Sequence, residues 1–253
     1  MSQHETPWPQ EADILYLDNH LLAVLKPAGM PSQPGGQAKA DATSLLRDWV
    51  KERFQKPGRV WLNPVHRLDQ PVAGILLFAR TSKAAGRLSA ALRERRVERG
   101  YLAVVARTPG APTLRVGDTV LWTDVLEREA DGRSVGVSAG AEGQEASLSV
   151  RLLARDTGTG RCLLEIALGS GRRHQIRAQL AARGYPILGD RRYAPPSVSG
   201  LGPAPALYAW RLALEHPTGR GPLEITSRPP LTGVWQDFAK SIMELIPLEG
   251  DVK

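Results

Sequence analysis

Two stretches of the chain gather side chains whose types and spacing could do chemistry. The first is Asn63 to Lys83, NPVHRLDQPVAGILLFARTSK, where His66, Arg67 and Asp69 fall within four positions, just ahead of an apolar run. Gly74-Ile75-Leu76-Leu77-Phe78-Ala79 lacks polar alternation, which predicts a strand covered on both faces. Gln70 precedes Pro71, and the proline ring pushes it toward extended backbone, so Asp69 is presented from a stiffened loop at the mouth of that strand. A carboxylate so placed can attack as a nucleophile or remove a proton, provided that it is ionised. An Asp alone before a turn reads as an Asx-type cap. His66 and Arg67 beside it favour the chemical reading.

The second stretch is Gly169 to Arg177, GSGRRHQIR. Ser170 or Gly171 is expected to begin a helix through Arg183, placing His174 and Arg177 one turn apart on one face. The positive end of a helix with its free amides, joined by Arg172, Arg173 and Arg177, makes an anion site. The plainer reading is a basic helix start.

These residues need a frame. Ile14–Leu17 and Leu21–Leu25 predict two strands around a tight turn, ended by Lys26-Pro27-Ala28-Gly29. Lys26 there reads as a solvated loop lysine or as a contact for substrate phosphate. Thr43 or Ser44 caps a helix through Phe54, with Leu45, Leu46, Trp49, Val50 and Phe54 facing the core. Ser82 caps a second helix to about Arg95. Val97 to Val105 is a strand, and by composition alone Tyr101 is one of its core residues. Residues 109–143 read as a β-hairpin insertion or a substrate-facing lobe, with strands at Thr119–Leu126 and Ser134–Val137. Glu145–Ala154 and Arg161–Leu168 are strands joined by a Gly-containing turn. Ala194 to Pro205 reads as a loop, Leu207–Glu215 and Leu223–Ser227 as the last strand pair, and Val234–Leu245 as a final helix. Residues 1–12 read as a loosely held leader and 247–253 as a tail.

Composition narrows the classes of function. The 253 residues carry 33 basic and 26 acidic side chains, a net charge of +7 that favours polyanionic partners. No apolar run approaches the roughly 20 residues that cross a bilayer, and no apolar signal segment opens the chain, so a cytoplasmic protein is expected. Cys162 is the single cysteine and reads as a buried strand residue. The five histidines show no ligand spacing, and no metal or other cofactor is expected.

The run His66-Arg67-Leu68-Asp69 resembles the His-Arg-Leu-Asp motif of the RluA family of RNA pseudouridine synthases. Gly171-Arg172-Arg173-His174-Gln175-Ile176-Arg177 is similar to that family's Gly-Arg-Thr-His-Gln-Ile-Arg, and Gly184 to Tyr193 resembles the segment that follows it. The chain departs from the pattern at Val72-Ala73-Gly74, where the family has Thr-Ser-Gly, and at Tyr208, where it has His. The resemblance implies an α+β fold, a mixed and mostly antiparallel central sheet flanked by helices, forming one catalytic domain over 13–246 without the small RNA-binding module that many relatives carry in front.

It further implies that Asp69 is the catalytic residue, that Tyr101 is the active-site tyrosine that stacks on a flipped uracil, and that Arg177 pairs with Asp69 and keeps it charged. Arg67 would fill the place of the flipped nucleotide. His66, Arg172, Arg173, His174 and Lys26 complete the expected RNA contacts. The partner is ribosomal or transfer RNA, with a monomer acting without a nucleotide cofactor. Covalent attack on the sugar, attack on the base, and proton abstraction through a glycal-like intermediate all stay open. So do two other functions on the same residues: an inert RNA-binding protein, and a nucleoside or glycoside hydrolase, which lacks a second carboxylate beside the motif.

Overall fold

The computed structural model describes residues 8–35, 40–128, 135–138 and 143–247. The chain divides into two compact units, one of residues 1–97 with 213–225 and one of residues 98–212 with 226–253. The fold is α+β, with antiparallel strand pairs flanked by helices.

In the first unit, β1 (Ile14–Leu17) and β2 (Leu21–Lys26) form a hairpin. Asp18 closes its turn by accepting the His20 and Leu21 N–H groups, each at 2.7 Å. Helix α1 (Ala42–Arg53) follows, then the short β3 (Asn63–Pro64), β4 (Ala73–Ala79) and helix α2 (Ser82–Arg93). Strand β4 is buried from Gly74 to Ala79, as its unbroken apolar run requires. It pairs with β2 from Leu21↔Ala79 to Lys26↔Gly74.

The caps differ by a residue or more from those expected. Asp41, not Thr43 or Ser44, caps α1 by accepting the Ser44 N–H at 3.0 Å, and Thr81, not Ser82, caps α2. Both true caps have extended backbone, which leaves the side chain beside the free amides of the first turn. Phe54 does not join the core. It lies past the end of α1, exposed, with the Arg80 guanidinium 4.9 Å from its ring.

The second unit is built on β5 (Glu98–Val105), β6 (Thr119–Arg128), β7 (Val135–Ser138), β8 (Gln144–Arg155) and β9 (Cys162–Leu168), paired in the order β5-β9-β8-β6-β7. Strand β6 pairs with β8 over eight positions, so the expected hairpin is continuous with the sheet; Ser134 lies outside the described residues. Cys162 is buried, as expected. Helix α3 (Gln175–Ala182) and the short α4 (Pro196–Ser199) precede β10 (Leu207–Glu215) and β11 (Pro222–Thr226), which pair with each other. From Ala213 to Ile225 the chain belongs to the first unit. The last helix splits into a 3-10 segment, Gly233–Phe238, and α5 (Ala239–Leu245). Residues 1–7 and 248–253, parts of the expected leader and tail, lie outside the described residues, whereas Trp8 donates its indole N–H to the Leu25 carbonyl at 2.9 Å. No helix among the described residues is long and apolar enough to cross a membrane.

Candidate active site

In the first unit, Asp69 stands on the loop between β3 and β4, and that loop is held residue by residue. His66 accepts the Leu77 N–H at Nε2 (3.3 Å), and Val65 donates to the Leu77 carbonyl at 2.8 Å, so the incoming chain is tied to the middle of β4. Leu68 is buried, and the Ser32 hydroxyl grips it twice, accepting its N–H at 3.0 Å and donating to its carbonyl at 2.8 Å. Val72 N–H donates to the Asp69 carbonyl at 3.0 Å and closes the turn through Gln70 and Pro71. Gln70 is bound to Gly29 at both its carbonyl and its side-chain amide. Asp69 is thus flanked on each side by an immobilised neighbour. It is itself half-buried, and Arg67 is exposed.

Below this loop lies Lys26, and here the expectation of a solvated lysine or phosphate contact is corrected. Its side chain is 1% exposed. The register Lys26↔Gly74 carries it beneath the Asp69 loop, where Nζ donates to the carbonyls of Pro27 (2.8 Å), Met30 (2.8 Å) and Gln70 (3.3 Å). An ammonium has three donors, and each finds an acceptor. Burial pushes the Lys26 pKa down to about 7, and the Asp69 charge pulls it back up. A cation enclosed by protein cannot reach an RNA phosphate. It ties the β2 end to the Asp69 loop through the Gln70 carbonyl.

In the second unit the stretch after β9 is latched to β8. Gly169 and Ser170 donate their N–H groups to the Ser147 carbonyl at 2.9 and 3.1 Å, and Gln175 Nε2 donates to the same oxygen at 3.0 Å. The Gln175 Oε1 accepts from Ser170 Oγ (2.8 Å) and Arg172 N–H (3.1 Å), winding residues 170–175 into a turn. Helix α3 therefore starts at Gln175 rather than Ser170 or Gly171, and His174 precedes it with a left-handed φ of 53°. His174 and Arg177 do not share a helical face near an N-terminus as expected, and the helix is buried from Gln175 to Leu180 on all sides. Arg172 and Arg173 are exposed, with Arg172 Nε donating to the Glu145 carbonyl at 3.1 Å.

Arg177 is the most constrained of the candidates. Its side chain is 5% exposed, and it holds the fully buried Asp190 in a two-pronged pair, Nε to Oδ2 and Nη2 to Oδ1, both at 2.7 Å. Asp190 Oδ1 also accepts the N–H groups of Arg192 (3.0 Å) and Tyr193 (3.2 Å). Burial alone would raise the Asp190 carboxyl, but the Arg177 hydrogen bonds and charge, with the two amides, hold it below its ordinary value. The Tyr193 ring lies 5.0 Å from the Arg177 guanidinium carbon, and its hydroxyl is 2.8 Å from His174 Nδ1. Ser32, Asp190 and Tyr193 were not among the expected site residues. A buried arginine needs a buried counter-charge, and that need was the available signal for Asp190. Tyr101, on β5 opposite Ile166, is 6% exposed.

The family model of RNA pseudouridylate synthase matches residues 20–182, which include every candidate named in advance. The chain belongs to the RNA pseudouridylate synthase family. Within it, the protein is 31% identical over 220 residues to the dual-specificity RNA pseudouridine synthase RluA of Haemophilus influenzae, covering 85% of this chain and 92% of that one. It is 33% identical over 219 residues to the protein of that name from Escherichia coli, covering 86% and 93%. Among solved structures, human RNA pseudouridylate synthase domain containing 4 matches with a TM-score of 0.69 at 20% identity, over 91% of this chain and 93% of that one. Human RNA pseudouridylate synthase domain containing 1 gives 0.67 at 21%, over 90% and 88%. These likenesses show a shared fold.

Proposed function

We propose that this pseudouridine synthase isomerises specific uridines of ribosomal or transfer RNA, with Asp69 as its catalytic carboxylate and residues 13–246 acting as one catalytic domain. The observation that carries the reading is the His66-Arg67-Leu68-Asp69 tetrad on a loop fixed at Leu68 by Ser32 and at Gln70 by Lys26 and Gly29, in a chain of this family. The shared name of the bacterial relatives, dual-specificity, supports more than one RNA as substrate.

The reaction breaks the bond between uracil N1 and the sugar, turns the base, and rejoins it through carbon, with no oxidant and no net water. A preset carboxylate suits each route to that end, whether it attacks sugar or base or removes a proton. Fixing its neighbours removes the entropy of ordering the loop from the reactive step. The target must leave its stack, at a cost of a few kcal/mol. Exposed Arg67 is assigned to the vacated place, Tyr101 to stacking on the extruded ring, and Arg177 to holding the carboxylate ionised. Exposed Arg172 and Arg173, with His174 beside them, are assigned to the RNA backbone. His66, bonded to the Leu77 amide, shapes the loop through that bond as well as lying next to the RNA-facing Arg67.

The test is to incubate purified protein with ribosomal and transfer RNA transcripts and map pseudouridine at each position. Wild type is expected to convert defined uridines without added metal. RNA that is bound but never modified would leave an inert binder, and free uracil in the supernatant would point to hydrolysis.

A further inference from the structure

The first unit carries a concavity lined in part by cationic side chains, at the end of β4 away from Asp69. A cavity of about 450 Å³ is lined by His20, Thr81, Lys83, Arg87 and Thr218, with Ala84 and Pro217 supplying apolar wall. No carboxylate is among its lining residues. Lys83 and Arg87 lie four positions apart on α2 and project from one face. Two of its groups are held in place. The Arg87 guanidinium donates through Nη1 to the Pro217 carbonyl, and the Thr218 hydroxyl sits 2.9 Å from His216 Nδ1. His216 is anchored in turn, its Nε2 lying 3.0 Å from Asp18 Oδ2. The β2–β4 register separates this end, at Leu21↔Ala79, from the Lys26↔Gly74 end by five residues. That is roughly 17 Å of extended strand.

We propose that this pocket binds a phosphate group of the RNA backbone several nucleotides from the modified uridine. The inference rests on the proposed RNA substrate. Two cations, the Thr81 hydroxyl and the His20 imidazole around one cavity offer several donors, the pattern that anchors a phosphodiester without reading its base. That spacing spans several nucleotides of a strand, so the pocket reports RNA shape beyond the target loop.

The double variant Lys83→Ala/Arg87→Ala removes both cations from exposed helix positions, and Lys240→Ala, an exposed lysine elsewhere, serves as the reference. Binding to a fluorescent transfer RNA transcript is measured across a salt series. The double variant should weaken Kd by about tenfold or more. The slope of log K against log salt should fall by about two, one for each phosphate-contacting cation removed. Loss no larger than that of Lys240→Ala overturns the proposal. Amide shifts of Thr81, Lys83 and Thr218 in ¹⁵N spectra separate the phosphate sources. Movement with RNA supports the backbone assignment, whereas movement with inorganic phosphate alone overturns it in favour of a small-anion pocket. Binding is read without turnover, so an absence of pseudouridine would remove the proposed activity and leave this result standing on its own.

Discussion

Arg177 and Asp190 form a buried, two-pronged ion pair thirteen residues apart, each member fixed by the other and Asp190 further held by two backbone amides. The pair sets the direction of a guanidinium that the proposed chemistry assigns to the active carboxylate. The Nε–Nη2 edge belongs to Asp190, so whatever else Arg177 does is done from a preset orientation.

Asp190→Asn keeps the size but removes the charge. Breaking this buried pair should cost about 3–5 kcal/mol, read as a lower urea midpoint. The pH dependence has a definite sign. The Asp190 carboxyl lies below its ordinary value of 3.8, so its contribution is complete above that value and is lost as the pH falls through the lower, folded one. Wild type should therefore lose stability more steeply than Asp190→Asn below about pH 4. Parallel acid limbs for the two proteins would contradict the pairing.

Gly189 delivers Asp190 to Arg177 with a φ of 76°, and a Cβ there would stand 2.2 Å from the Ala204 carbonyl oxygen. Gly189→Ala meets both a strained backbone and a rigid neighbour. We expect a loss of at least about 1–3 kcal/mol with reduced turnover, measured by unfolding and by product formation. A fully stable alanine variant would show that the turn tolerates what its geometry excludes.

Ser32→Ala leaves the Leu68 N–H and carbonyl without their buried partner, at a cost of about 1–3 kcal/mol. Amide exchange at Leu68 should accelerate, while exchange along β8 and β9 stays unchanged. Turnover should fall more than RNA affinity, because the loop holding Asp69 loosens and Arg67 remains exposed.

Lys26 offers a second pH test. Its folded pKa is about 7, below the ordinary lysine value of 10.5, so between these values the unfolded chain binds the proton that the folded protein releases. Stability from this group therefore rises as pH increases from about 7 toward 10. Urea midpoints at three values in that window should rise for wild type relative to Lys26→Met. A constant difference between the two would show that Lys26 keeps its proton throughout.

The sequence was legible where one local pattern decides the outcome. The unbroken run from Gly74 to Ala79 could only be a covered strand, and Asp69 ahead of Pro71 could be placed on a fixed loop. Helix starts were less legible, because Asp41, Thr43 and Ser44 can all accept an amide and only the backbone angle at Asp41 decides among them. At α3 the Gln175 side chain ties up Ser170 and Arg172, moving the start by several residues. Lys26 was misread because Lys-Pro-Ala-Gly has the composition of an exposed turn. Its burial comes from pairing with β4 and from the Gln70 carbonyl forty-four residues on. Asp190 was hidden for the same reason: its partner lies across a helix and a turn, and no periodicity links them.

The central claim is that Asp69 performs the isomerisation. Asp69→Asn preserves the shape of the loop and removes the ionisable oxygen. With an RNA shown to be a substrate of wild type, the variant should bind it with similar affinity and yield no pseudouridine by site-resolved mapping after prolonged incubation. Pseudouridine formed at the same position by the folded variant would contradict the account.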